Sequence, residues 1–132
     1  VVIKRDTGMN NDVVIYQSSD GLVKMEAIVD ASNETIWATQ KAMAELFRVN
    51  IQAITKHLGN IYQDAELIKE ATCSKMEQVR LEGGRRVTRQ VEFYNLDAII
   101  SVGYRINSRQ ATAFRQWATS VLKQYMLKDS NL

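Results

Sequence analysis

Seven of the nine arginines in this 132-residue chain lie between Arg80 and Arg115. A guanidinium offers two parallel N–H donors that match a phosphate, so arginines crowded in this way can grip a phosphate backbone. The net charge is only +2, but it is unevenly spread. Residues 1–71 hold seven Lys/Arg against ten Asp/Glu, a net of −3, and residues 72–132 hold ten against five, a net of +5. A solvated surface that happens to use arginine would have the same composition, so the elements that carry these residues must decide between the two readings.

Other chemistry has few residues to work with. A single His57 and a single Cys73 exclude an intrachain disulfide and a His/Cys metal cluster within one chain. Cys73 as a nucleophile would need a positioned base, and His57 is the one histidine available. His57, beside Leu58, reads as a surface or base-contacting side chain rather than a catalytic one. Gly83-Gly84 fits neither phosphate-loop pattern, and no Ser sits on a recognisable nucleophile elbow. The carboxylates form no readable Mg²⁺ motif. The expectation is a protein that is not an enzyme and uses no cofactor or metal.

The elements that must position the arginines follow from periodicity. Residues 1–12 carry Gly, Asn and Asp without a period and read as a flexible arm. Val13–Tyr16 is a short β-type run, Ser18-Ser19-Asp20-Gly21 a hairpin turn, Leu22–Val29 a second strand and Thr35–Trp37 a third, together a small antiparallel meander. Thr39 caps a first helix, Gln40–Phe47, with Met43, Leu46 and Phe47 on its apolar face. Arg48-Val49-Asn50 breaks it. Asn50 then caps a second helix from Ile51 to about Tyr62, with Ile51, Ile54, Leu58 and Ile61 on one apolar face. Ala65–Ala71 adds another helical turn or two. Two helices joined by three residues, the second with a polar outer face, form a helix-turn-helix arrangement, with a plain αα-hairpin in a core as the alternative. Arg48 stands where such turns usually hold Gly, at a position that often needs positive φ.

Ser74–Leu81 and Arg86–Tyr94 flank Glu82-Gly83-Gly84-Arg85 and read as a β-hairpin in which Leu81 falls opposite Arg86. Directly after a helix-turn-helix, such a hairpin is a wing. Arg80, Arg85, Arg86 and Arg89 crowd its tip, with Met76, Val91 and Phe93 near its base. The alternative is an edge protected by charge. Asn95 caps a helix that Gly103 is expected to end, with Tyr104–Asn107 as connector. The last helix, Ser108 to Leu127, carries the apolar stripe Phe114, Trp117, Ala118, Val121, Leu122, Tyr125 and Met126. That stripe reads as core or as a dimer surface.

The fold class expected is therefore α+β: a winged helix-turn-helix with an N-terminal meander and a C-terminal amphipathic helix, one domain over residues 13–128. Without Met at position 1, it reads as a piece of a longer protein. The expected partner is double-stranded DNA. Gln40 and Lys41 open the first helix. Asn50, Gln52, Ala53, Thr55 and Lys56 face the major groove, where Gln52 can pair with adenine and Lys56 can reach guanine or phosphate. Arg80, Arg85, Arg86, Arg89, Arg105, Arg109 and Arg115 hold the backbone. Six neutralised phosphates would make log K fall with log salt at a slope of about −5. The competing expectation is a protein-interaction or oligomerisation module, with a homodimer through helix 108–127. No apolar run approaches the ~18–20 residues needed to cross a bilayer, so no membrane is expected, and the setting expected is cytoplasmic.

Three runs add a resemblance. Trp37–Phe47, Tyr94–Ser108 and Phe114–Ala118 together resemble the bacterial RhuM family, named for a virulence-island protein, over roughly residues 13–128. Tyr104–Trp117, with Arg109, Phe114, Arg115 and Trp117, is also similar to the Bro-N domain of phage antirepressors and viral DNA-binding proteins. The resemblance implies a DNA-binding N-terminal module, often joined to a C-terminal region, acting as a transcriptional regulator or in the manner of an antirepressor.

Overall fold

The computed structural model describes residues 2–4 and 12–130, with side chains over 12–127. Along the chain run β1 (Val2–Lys4), β2 (Asp12–Gln17), β3 (Lys24–Asp30), β4 (Thr35–Thr39), α1 (Gln40–Phe47), α2 (Ile51–Gln63), α3 (Lys69–Thr72), β5 (Cys73–Glu82), β6 (Arg85–Tyr94), α4 (Leu96–Ile106) and α5 (Ser108–Ser130). The strands form a six-stranded sheet in the order β1-β5-β6-β4-β3-β2, and every pairing is antiparallel.

Strand alternation sorts side chains onto two faces. One face carries Tyr16, Met25, Ala27, Val29, Ile36, Ala38 and Tyr94 into the main core, shared with α1, α2, α4 and α5. The other carries a small core of Ile28, Trp37, Met76 and Phe93. Asp30 ends β3 with 1% of its surface exposed. Its carboxylate accepts from Ser32 Oγ at 3.1 Å, Asn33 N at 3.3 Å, Asn33 Nδ2 at 2.9 Å and Trp37 Nε1 at 3.0 Å. Burial pushes its pKa up, but these hydrogen bonds prevail and leave it below the ordinary value. A depressed carboxylate contributes stability above its unfolded value of about 3.9 and loses it as pH falls through the folded value. Acid unfolding followed by tryptophan emission should therefore begin below about pH 4. Asp30→Asn should flatten that limb and cost about 2 kcal/mol at neutral pH.

Local chemistry sets the helix starts. Thr39 Oγ1 accepts from Ala42 N, Asn50 Oδ1 from Ala53 N and Asn95 Oδ1 from Ala98 N, each filling an N–H that the first helical turn leaves free. Arg48 closes α1 in the left-handed region, φ 57° and ψ 47°, with Val49 N donating to Ala44 O. The turn thus has the positive φ expected where Gly is usual, supplied by an arginine whose Nη2 donates to Asp20 Oδ2 at 2.8 Å. Gly83 and Gly84, both at positive φ, make the two-residue turn of the hairpin and fix its register, with Leu81 opposite Arg86.

Four expectations change. The arm of residues 1–12 is in part ordered: Val2–Lys4 pair with Glu77–Val79, since the outer edge of β5 offers unpaired backbone groups, and Asp12 already belongs to β2. Residues 5–11 lie outside the described residues. The helix expected over Ala65–Ala71 shrinks to Lys69–Thr72, because Ala65 adopts φ 58° and Glu66 N turns back to Ile61 O, ending α2. Gly103 does not end α4, which runs on to Ile106. It lies inside the helix where a Cβ would fall 2.6 Å from Phe47 Cζ, so its absence of side chain serves packing rather than termination. Only Asn107 links α4 to α5, and its Oδ1 accepts from Gln110 N. Finally, the hairpin is not a free wing along its length. Its base is the interior of the sheet, between β1 and β4, and only the part beyond Val79 and Thr88 projects as two strands.

Candidate nucleic-acid interface

α2 is fixed from behind and open in front. Ile54, Leu58 and Ile61 are buried in the main core, while Gln52, Thr55, Lys56, Gly59 and Gln63 are exposed along the opposite face. Residues 51–63 contain no carboxylate. The face is therefore polar and carries the positive charge of Lys56.

A hydrogen-bonded chain locks that helix to the sheet. Thr55 Oγ1 donates to Gln40 Oε1 at 2.6 Å, Gln40 Nε2 to Tyr94 Oη at 3.0 Å, and Tyr94 Oη to Glu92 Oε2 at 2.8 Å. Cys73 Sγ approaches the same Glu92 oxygen at 3.5 Å. Burial, then the bond to Glu92, pushes the Tyr94 hydroxyl well above its ordinary pKa, and the hydroxyl stays a neutral donor. The hydrogen bond from Tyr94 holds Glu92 low. Burial and Glu92 raise the Cys73 thiol, which keeps it protonated at neutral pH.

The fourteen expected contact residues fall into distinct situations. Lys41, Gln52 and Lys56 are exposed and have no ion-pair partner among the described residues, and Ala53 is half-buried. Asn50 spends its side-chain oxygen on capping α2, and Gln40 and Thr55 are tied to each other. On the hairpin, Arg85 and Arg86 are exposed on opposite faces of the ladder and Arg80 is half-buried. Arg89 donates from Nε and Nη2 to Glu82 at 3.1 and 3.0 Å. Arg105 does not stand free: its Nη2 lies 3.7 Å from both Asp64 and Glu66, joining the end of α4 to the end of α2. Arg109 stands beside Arg48 and the β2–β3 turn, and Arg115 is exposed on α5. The Tyr94–Glu92 anchor was not among the expected contacts. The signal for it was parity, since Tyr94 pairs with Cys73 on the helix-covered face of the hairpin.

The stripe of α5 is covered by the chain itself. Phe114, Ala118 and Leu122 are buried in the main core, and Tyr16 meets the rings of Phe114 and Trp117 at centroid distances of 5.3 and 5.1 Å. Most of the surface expected for a homodimer through helix 108–127 is thus used inside the chain, and Met126 and Leu127 are exposed at its end. No described helix is long and apolar enough to cross a membrane, and no group of His, Cys, Asp or Glu among the described residues could hold a metal ion.

These features define an α+β domain in which a capped helix pair is mounted on an antiparallel sheet beside an arginine-tipped hairpin. Comparison with known proteins places the second half of it: the family model described as the virulence protein RhuM family matches residues 71–132. That stretch is similar to the family, and the match takes in β5, β6, α4 and α5 but not the meander or the α1–α2 pair. It does not show the similarity to the Bro-N domain. No curated protein and no solved structure matches the chain.

Proposed function

We propose that this chain binds duplex DNA, with the outer face of α2 in the major groove and the tip of the β5–β6 hairpin acting as a wing beside it. The observation that carries this reading is the acid-free polar face of α2, which stands open while the rest of the helix is clamped to the core and, through Gln40 and Tyr94, to the sheet. A rigid helix with Gln and Lys outward suits base-edge readout, and exposed arginines beside it suit phosphate. The tip adds Leu81, 77% exposed and opposite Arg86, an apolar residue of the kind that wedges between base steps in a minor groove.

Gly59 supports the same reading. A Cβ added there would meet no atom within 4 Å, so no contact among the described residues requires a glycine on this face. In this reading the missing side chain lets the duplex approach α2 closely. Gly59→Ala should raise stability by about 1 kcal/mol by helix propensity while weakening duplex binding. Thermal melts and a mobility-shift titration of the same variant measure the two effects separately.

The test of readout is an unbiased selection of bound duplexes with the unsubstituted chain and with Gln52→Ala/Lys56→Ala. A changed consensus assigns readout to α2. Equal loss on every sequence assigns α2 to phosphate positioning, and absence of binding to any duplex ends the proposal. In this reading the protein is a cytoplasmic transcriptional regulator. The competing role, an assembly module working through α5, is less favoured because Phe114, Ala118 and Leu122 of its stripe are buried in the chain's own core.

A further inference from the structure

A groove of about 460 Å³, a size suited to a small-molecule ligand, opens between β3 and the β5–β6 hairpin, with Lys41, Ala42 and Glu45 of α1 as one wall. Its origin is topological. β4 pairs with β3 only over Ile28–Asp30 and with β6 only at Phe93 and Tyr94 before the chain turns into α1. Beyond that point β3 and β6 lose their common neighbour, and the groove opens between them. Ile28 and Phe93 reach it from the small core.

Gln78 on β5 is the unusual member. Only 9% of it is exposed and it lines the groove, yet its side-chain amide makes no hydrogen bond among the described residues. The amide is not sealed inside the core, so its donor and acceptor stand available to a ligand in the groove, which a leucine at the same place would not offer. Around it stand Lys24, Lys41 and Arg80, none with an ion-pair partner within 4 Å among the described residues, and the carboxylates of Glu26 and Glu45.

We infer that this groove binds an adenine nucleotide, with Gln78 on the base edge and Arg80 and the two lysines on the phosphate. The amide presents one donor and one acceptor side by side, which matches the N7 acceptor and N6 donor of adenine, whereas guanine shows two acceptors on that edge. The apolar floor suits the face of a base. The cations suit one phosphate, and a carboxylate can accept from ribose hydroxyls. The outer face of α2 does not line the groove, so the site can be tested apart from base readout, while Lys41 and Arg80 are shared with the phosphate contacts of the DNA reading.

The test is calorimetric titration of the whole chain with AMP, GMP, inorganic phosphate and a single-stranded adenine tetranucleotide. The variants are Gln78→Leu, Arg80→Ala and Gln52→Ala/Lys56→Ala. AMP should bind saturably and about tenfold tighter than GMP. Gln78→Leu should weaken AMP about tenfold and erase the preference over GMP, while Arg80→Ala weakens both nucleotides alike. The α2 double variant should bind AMP as the unsubstituted chain does, so that failure of the DNA proposal leaves this one standing. AMP should raise the melting midpoint of the unsubstituted chain and not that of Gln78→Leu, which should itself melt no lower without ligand. Tighter Gln78-dependent binding of the tetranucleotide than of AMP would assign the nucleotide to a strand, and the reverse to the free metabolite. Either result supports the site. Absence of saturable AMP binding, or undiminished binding by Gln78→Leu, overturns it.

Discussion

Gly103→Ala should cost about 2–3 kcal/mol of stability, although alanine is the better helix former by about 1 kcal/mol. The new methyl carbon would fall 2.6 Å from Phe47 Cζ, 2.8 Å from Phe47 Cε1 and 2.7 Å from Ala111 Cβ. Phe47 and Ala111 are themselves buried, one on α1 and one on α5. Neither can retreat without moving its helix, so the junction of three helices would have to open. The urea midpoint should fall with little change in the slope of the transition, since the surface exposed on unfolding is the same. Gly59→Ala is the internal control: the identical substitution, also inside a helix, meets open space and should stabilise. Equal effects of the two would show that α4 does not approach α1 and α5 as described.

Raising salt from about 50 to 200 mM should weaken duplex binding about 500-fold if five phosphates are neutralised, a log–log slope of about −4.5. The cations behind that number are Lys41, Lys56, Arg80, Arg85 and Arg86, none held in an ion pair among the described residues. Arg89 and Arg105 are left out because Glu82, and Asp64 with Glu66, already hold them. Replacing Arg85 and Arg86 by alanine should make the slope shallower by about 1.8 while leaving the selected sequence intact. Replacing Arg105 should leave the slope unchanged and lower stability, because its role is to join α4 to the end of α2. Fluorescence anisotropy with one duplex at several salt concentrations measures all three. A slope indifferent to the hairpin arginines would remove the wing from the interface.

Many of the element boundaries were legible in the residues. Thr39, Asn50 and Asn95 announce helix starts because each cap is completed within three residues, and Gly83-Gly84 announces a two-residue turn because few other residues accept positive φ twice in succession. The apolar stripes of α2 and α5 marked the inward sides except at their ends, where Ile51 is 44% and Met126 41% exposed. The same local signs misled where a residue had a distant reason for its identity. Gly103 looked like a helix stop and is a contact between helices. Ala65 looked like helix and is the left-handed residue that ends one. Of the arginines, sequence could give position but not freedom: Arg105 and Arg89 read as phosphate ligands until their carboxylate partners came into view.

The chain by itself thus determined its capped helices, its hairpin register and its inward faces, because the groups that satisfy one another there are neighbours along the backbone and their geometry follows from covalent connection. Only the folded arrangement decided that Val2–Lys4 would close one edge of the sheet, that Gln40 would meet Tyr94 across 54 positions and that Gln78 would be left facing a groove without a partner. Those outcomes depend on how elements dock, and docking is set by the shape and burial of the whole core, which no short window of sequence contains.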